Sequence, residues 1–569
     1  MLAAGRDIRE RPVWLHALVL AVLLLAILPF TRMGGALISD EGSAALQART
    51  LNRDGTWILH QPLARIDPQD RADPLPYVEA GPKGRAPYAK HPLYPLLLAG
   101  ASRLAGNTGY YLLSLAGTVL AAIGAAALAR RIGTRPALSL WVAGVGTPLF
   151  FYAFVLQAHS LGAAAAVAAM VGALAALEKP TIPRLVAIFG LIAFAAALRS
   201  EADLFAGGVA IGALVVGWKG RRGAAVAVAV VAAAAPIVVR LVEREFLIRV
   251  VGSGAAAVSA PGKRSGLTTP IRGFYSTWLA PTNQGNFRLG VALAIALGLV
   301  AGAALAARRP GRASVVVACL GGALVAYVSW FVKAPAVPVD GLAIVFPAGW
   351  AAIWAFGRSE LERPASRFAV VALVVFVLAV VLTQYPEGGG PEWGGRYFLV
   401  GLAVAAPVAI VVLVRVRGQS LAVASASRAA LALCVMIAVV IAWGGVRALR
   451  QTHANSKELL AVVEKAGRSA PSPFGPHADR RPVVVTTVPL IPQLLWEGYD
   501  RFQWLAPSSQ DLAEYGQRLA AAGTARLVLI AADAPKDVPS LAPWYRELAR
   551  PEQPPGTIPP YPVIVMERR

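Results

Sequence analysis

The sequence predicts a mainly α-helical polytopic membrane protein, with about 13 transmembrane helices and a small α/β domain at its C-terminus. Three observations predict it. The chain of 569 residues is 57% hydrophobic and only 15% charged, with a mean hydropathy of +0.58, whereas a soluble protein of this size carries nearer a quarter charged residues. Apolar runs of a length that spans a bilayer recur from residue 13 to residue 446. Beyond 446 the pattern changes to short strand-like and helix-like runs.

The first apolar run, from Val13 to Phe30, follows the basic start Arg6, Arg9 and Arg11. No small-residue cleavage site stands out after it and many spans follow, so it reads as an uncleaved first helix. Further spans are expected near 109–129, 136–155, 160–177, 183–198, 202–217, 223–240, 288–307, 313–332, 341–357, 368–383, 397–414 and 429–446. With a cytoplasmic N-terminus, the inward segments hold 20 basic residues, including Arg130, Arg131, Arg221, Arg222, Arg308 and Arg309. The short outward loops hold three, Arg199, Lys333 and Arg396. That asymmetry sets the orientation by the positive-inside rule. It also accounts for most of the net charge of +23, so no nucleic-acid partner is needed. Cys319 and Cys434 lie inside apolar runs and offer no disulfide or metal framework.

The run from His91 to Leu104 is short for a span and holds Pro92, Pro95 and Arg103. Counting it as a crossing would invert every later loop, so it is expected as an interfacial or re-entrant helix. Three larger outward segments result: 32–108, 241–287 and 447–569. The expected organisation is therefore a transmembrane domain over 1–446, with outer loops 32–108 and 241–287, followed by an extracytoplasmic domain over 447–569. In that last segment a helix at 454–466 precedes strands near 482–488, 502–505, 526–532 and 562–567, with helices near 490–496 and 509–522. No glycine fingerprint or Ser-His-Asp arrangement appears there, so a binding or shielding role is expected. The stretch 60–90 reads as loop, and 241–287 as a solvated loop or a flexible acceptor-binding lid.

Segment 32–108 opens on ISDEGSAALQARTLNRDG, an amphipathic helix starting near Ser39 or Asp40. Asp40 and Glu41 sit at its N-terminus, where acids are favoured simply as caps. Further on come PYAKHPLYP with Lys90, His91 and Tyr94, the stretch FFYAFVLQAHSLGAAAA with Gln157 and His159, ALRSEADLF with Arg199, Glu201 and Asp203, and GGRYFLVGLAVAAP with Arg396 and Tyr397. A first span, an acidic pair on a short helix and a Lys-His-Pro-Leu-Tyr segment, in that order and on one side, resemble the C-type (GT-C) membrane glycosyltransferases. The similar branch contains the protein O-mannosyltransferases and the aminoarabinose lipid A transferases. The likeness covers roughly 30–220 and 385–410.

The resemblance implies an inverting glycosyltransferase that moves a sugar from a polyprenyl-phosphate donor to an extracytoplasmic lipid, glycan or protein. Asp40 is implied as general base, and Glu41 as a residue that orients the site or caps the helix. The leaving group is a stable lipid phosphate, which calls for positive charge and hydrogen-bond donors rather than a second acid. Lys90, His91, Arg199 and Arg396 are candidates for that task, with Tyr94, His159, Glu201 and Tyr397 beside them. His91 stands where the family pattern has proline. Each has a plainer reading: Lys90 snorkelling at an interface, Arg199 pairing with Glu201 or Asp203, Arg396 flanking a helix start, His159 as a structural histidine. Many relatives carry a metal-binding acid where Gln157 and His159 stand, so no cofactor is assigned and a divalent cation stays open.

The implied partners are the lipid-linked donor, the membrane and an acceptor of unknown kind, and the implied location is a bacterial cytoplasmic (inner) membrane. Two rivals remain. A transporter or flippase of lipid-linked saccharides would place charges at mid-membrane, whereas here polar residues gather at span ends. A non-catalytic cell-envelope assembly protein would have no use for Asp40.

Overall fold

The computed structural model describes residues 12–32, 36, 38–75, 79–254, 342–355, 357–383, 393–416, 421–469, 481–552 and 561–569. The expected spans 288–307 and 313–332, and loop 241–287 beyond residue 254, lie outside the described residues.

The chain is mainly helical and polytopic, with a small sheet near the C-terminus. Among the described residues, seven helices are long and apolar enough to cross a membrane: Val13–Thr31, Asn107–Ile132, His159–Glu178, Arg222–Val250, Pro364–Thr383, Arg396–Val414 and Cys434–Arg468. Helices Leu93–Ala105 and Ile182–Leu198 are apolar but shorter. The first of them matches the demotion of His91–Leu104 from span to short helix.

Two expected spans are broken. Residues 136–155 form Pro136–Gly144 and Leu149–Tyr152. Between the pieces, Thr147 Oγ1 donates to Ala143 O at 2.7 Å, and Pro148 has no N–H to continue the ladder. Residues 341–357 form Leu342–Val345 and Pro347–Ala355, divided just before Pro347. One helix outruns its expected end at 240. Arg222–Val250 continues through RLVEREFLIRV, supported by an Arg249–Glu245 pair four residues apart at 2.8 Å. Its end is followed by Gly252 at φ 81.

Compact packing divides the chain into two units. One gathers described residues of 1–29, 105–243 and 260–448, the other those of 30–104, 244–259 and 449–569. The first, helical unit is tied at its centre by Asn107–Ile132. Its Ser114 Oγ donates to Val155 O at 2.7 Å and its Thr118 Oγ1 to Leu149 O at 3.1 Å, which satisfies carbonyls of the broken segment.

The second, mixed unit carries a five-stranded sheet. Strands β1 (Glu79–Gly81) and β2 (Gly84–Ala86) form a separate hairpin within the stretch expected as loop. Strands β3 (Val483–Thr486), β4 (Gln503–Leu505), β5 (Arg526–Ile530), β6 (Tyr545–Ala549) and β7 (Val563–Arg568) pair in the order β4-β3-β5-β7-β6. β3 runs parallel to β4 and β5, whereas β7 runs antiparallel to β5 and β6. Strand β6 and helix Ala534–Leu541 were not anticipated from sequence. Leu63, Ile66 and Ala72 share one core with Val485, Leu505, Tyr515 and Leu529. The first loop thus helps to build the C-terminal fold, with about 1.5–3 kcal/mol from each large apolar side chain buried. Helix Leu421–Arg468 is continuous over 48 residues, so position 446 falls inside a helix.

Candidate functional site

The expected site residues fall into two groups. Asp40, Glu41, Lys90, His91 and Tyr94 belong to the mixed unit; His159, Arg199, Glu201, Arg396 and Tyr397 belong to the helical unit.

In the mixed unit, helix Ser39–Asp54 starts with Asp40 and Glu41 in its first turn. Glu41 is fully buried, and its Oε2 accepts the Ile38 backbone N–H at 3.1 Å. That is half of a capping box; the other half is absent because an isoleucine side chain cannot accept a hydrogen bond. Asp40 is instead partly open, and Lys90 Nζ lies 3.3 Å from its Oδ1. Their side chains are 22% and 29% exposed, respectively. Lys90 also sits 5.0 Å from the Tyr88 ring centre, and Tyr88 meets Tyr94 edge-on at 6.2 Å. The turn that leads to Lys90 is held to the Asp40 helix through Gln47. Its Oε1 accepts the Tyr88 N–H at 3.1 Å, and its Nε2 donates to Trp57 O at 3.0 Å. His91 is buried; its carbonyl accepts the Tyr94 N–H at 3.2 Å, which places it at the start of helix Leu93–Ala105.

The Asp40 helix is clamped within the same unit. Arg49 donates to Trp496 O at 2.7 Å and pairs with Asp500 at 2.9 Å. Gly42 packs so closely on Gln493 that an added Cβ would lie 1.9 Å from the Gln493 carbonyl oxygen. Backbone cannot yield there as a flexible side chain would, so Gly42→Val is expected to destabilise by about 1–3 kcal/mol. A lowered thermal midpoint of the purified protein would show it; an unchanged midpoint would contradict the close approach.

In the helical unit, Arg199 and Glu201 form a bidentate pair, Nε to Oε2 at 3.0 Å and Nη2 to Oε1 at 2.7 Å. Both are buried, Glu201 completely. Asp203 takes another partner, Arg240 Nε at 2.8 Å, so of the two expected pairings for Arg199 the one with Glu201 is found. Arg199 Cγ faces Gly162, in the first turn of helix His159–Glu178, with Val400 beside it. Arg396 stacks on Tyr397 at 5.1 Å from the ring centre.

His159 is fully buried, 5.2 Å from the Tyr152 ring. Neither of its ring nitrogens, nor either amide atom of Gln157, has a hydrogen-bond partner among the described residues. The charges of Arg199 and Arg396 bear on the ring. Among the described residues no three His, Cys, Asp or Glu side chains gather as a metal site.

The helical unit also contains an apolar cleft of ≈ 420 Å³, lined by residues such as Phe346, Leu373, Phe376, Phe398, Leu402 and Val412. Sequence reasoning did not single out these positions, since an apolar side chain that lines a cleft is indistinguishable in sequence from one that faces lipid.

No family model and no curated protein matches this chain. Solved structures are similar to it. The oligosaccharyltransferase of Archaeoglobus fulgidus in the apo form superposes with a TM-score of 0.52 at 12% identity, over 92% of this chain and 70% of that one. ArnT from Cupriavidus metallidurans, in a structure bound to undecaprenyl phosphate, gives 0.49 at 13% identity over 97% of each chain. The arabinosyltransferase EmbB from Mycobacterium smegmatis gives 0.32 at 16% identity, over 79% of this chain and 43% of that one.

Proposed function

We infer that this chain, which has the GT-C fold of membrane glycosyltransferases, is an inverting glycosyltransferase that uses a polyprenyl-phosphate sugar. The observation that carries the reading is the Asp40–Lys90 pair, a half-open carboxylate beside a cation at 3.3 Å. Its neighbour Glu41 is spent on the helix start. An acceptor hydroxyl gives its proton to Asp40 while its oxygen attacks the anomeric carbon from the face opposite the phosphate. The carbon–oxygen bond to the phosphate breaks, its electron pair leaves with the polyprenyl phosphate, and the configuration inverts. Because the phosphate departs as a stable anion, no acid catalyst is required. Lys90 supplies charge to it. The apolar cleft is where we assign the polyprenyl chain, since its lining has no polar group that burial of a hydrocarbon would strand. In this reading the protein lies in a bacterial cytoplasmic membrane, with the N-terminus inside and residues 447–569 outside.

Purified protein in lipid discs, given a synthetic polyprenyl-phosphate sugar, is expected to yield product of inverted anomeric configuration; retention would exclude the mechanism. Lys90→Met is expected to raise the donor KM by about 10–100-fold, the worth of one charge-assisted hydrogen bond, in initial-rate measurements at varied donor. An unchanged donor KM would remove Lys90 from the phosphate.

A further inference from the structure

At the far end of helix Ser39–Asp54, the mixed unit has a recess that the mechanism does not use. Its volume is ≈ 350 Å³, within the range of ligand sites. Tyr499, Phe502 and Trp504 form its aromatic side. Tyr499 and Trp504 stack at 6.2 Å and 18°, and Phe502 stands edge-on to Trp504 at 5.5 Å. Arg53, Arg481, Asp54, Asp500, His60 and Gln61 form its polar side. Arg53 donates to Asp54 at 2.7 and 2.8 Å and pairs with Asp500 at 2.9 Å, and Arg481 donates to the Asp500 carbonyl at 3.0 Å. The hydrogen bond from Arg53 also holds the Asp54 carboxyl below its usual range.

We propose that this recess binds a neutral saccharide and so holds a distal part of the acceptor glycan. An anionic ligand would meet Asp54 and Asp500, a cationic one Arg53 and Arg481, and a purely apolar one would take these ion pairs out of water and offer them no hydrogen bond in return. A sugar suits the arrangement. Its hydroxyls both donate to carboxylates and accept from guanidinium groups, while its C–H face packs on aromatic rings. Asp40 and Asp54 lie fourteen positions apart on one helix, which is about 20 Å at 1.5 Å per residue. An acceptor that reaches both is several sugar units long. The role as acceptor subsite rests on the glycosyltransferase reading; the binding itself does not.

The test uses the full chain in lipid discs and neutral hexose oligomers of one to six units, with calorimetry for binding. The longer oligomers are expected to bind, and Gln61→Trp, which fills the recess, and Asp54→Asn are each expected to weaken binding by about tenfold at unchanged thermal midpoint. In turnover assays Gln61→Trp is expected to raise KM for long acceptors while leaving short ones unaffected. Equal binding by the wild type and Gln61→Trp, or displacement of the oligomer by inorganic phosphate, would overturn the proposal. Oligomer binding by a wild type that transfers no sugar would sink the glycosyltransferase reading and leave the recess standing; transfer with no effect of Gln61→Trp would do the reverse.

Discussion

Asp40→Asn is expected to lower sugar transfer by about 10²–10⁴-fold, the range for loss of a general base, while insertion and folding persist. The substitution keeps the shape of the side chain and removes its capacity to take a proton, together with the charge that faces Lys90. Its structural cost is small for two reasons. The helix start is secured by Glu41, whose carboxylate accepts the Ile38 N–H. The Asp40–Lys90 pair is partly open to solvent, at 22% and 29% exposure, and such pairs contribute only about 0–1 kcal/mol. Turnover of the variant in lipid discs, beside its thermal midpoint, separates chemistry from folding. Full transfer by Asp40→Asn would remove Asp40 as the base.

The second large effect concerns stability. Arg199→Met is expected to destabilise the helical unit by about 3–5 kcal/mol, because it leaves Glu201 buried without its counter-charge. Glu201 has no exposed surface, and the pair is bidentate at 2.7 and 3.0 Å. The double change Arg199→Met with Glu201→Leu is expected to recover most of that loss, since it removes both desolvation penalties together. Unfolding of the three variants in detergent closes the double-mutant cycle. A cost below 1 kcal/mol for Arg199→Met alone would mean that water reaches Glu201.

Both predictions rest on residues that were candidates from sequence, yet their roles were not equally legible there. Adjacent acids at a helix start are ambiguous, because a cap and a catalytic base need the same residue types in the same place. Only the hydrogen bond to Ile38 divides the two, giving Glu41 the cap and leaving Asp40 with Lys90. Likewise Arg199 had two acids within reach along the chain. Asp203 is withdrawn from it by Arg240, a residue 37 positions away in sequence. Such a choice depends on which helices pack together, and no local pattern encodes it.

The amino-acid sequence by itself determined that this is a polytopic helical protein with a small α/β region at its end. The physical reason is that a bilayer demands long apolar runs and a sheet core demands alternating or continuous β-branched ones; both are properties of neighbours along the chain. It also determined the candidate acid Asp40 and the candidate cation Lys90. Tertiary structure decided the rest. It broke the run at 136–155 and extended the helix past 240, because turn hydrogen bonds and packing partners override composition. It also drew residues 59–74 into one unit with 481–505, where the core and the aromatic recess are built from segments over 400 residues apart. Burial against a distant segment lowers free energy whatever the separation in sequence, and for that reason it leaves no local signature to read.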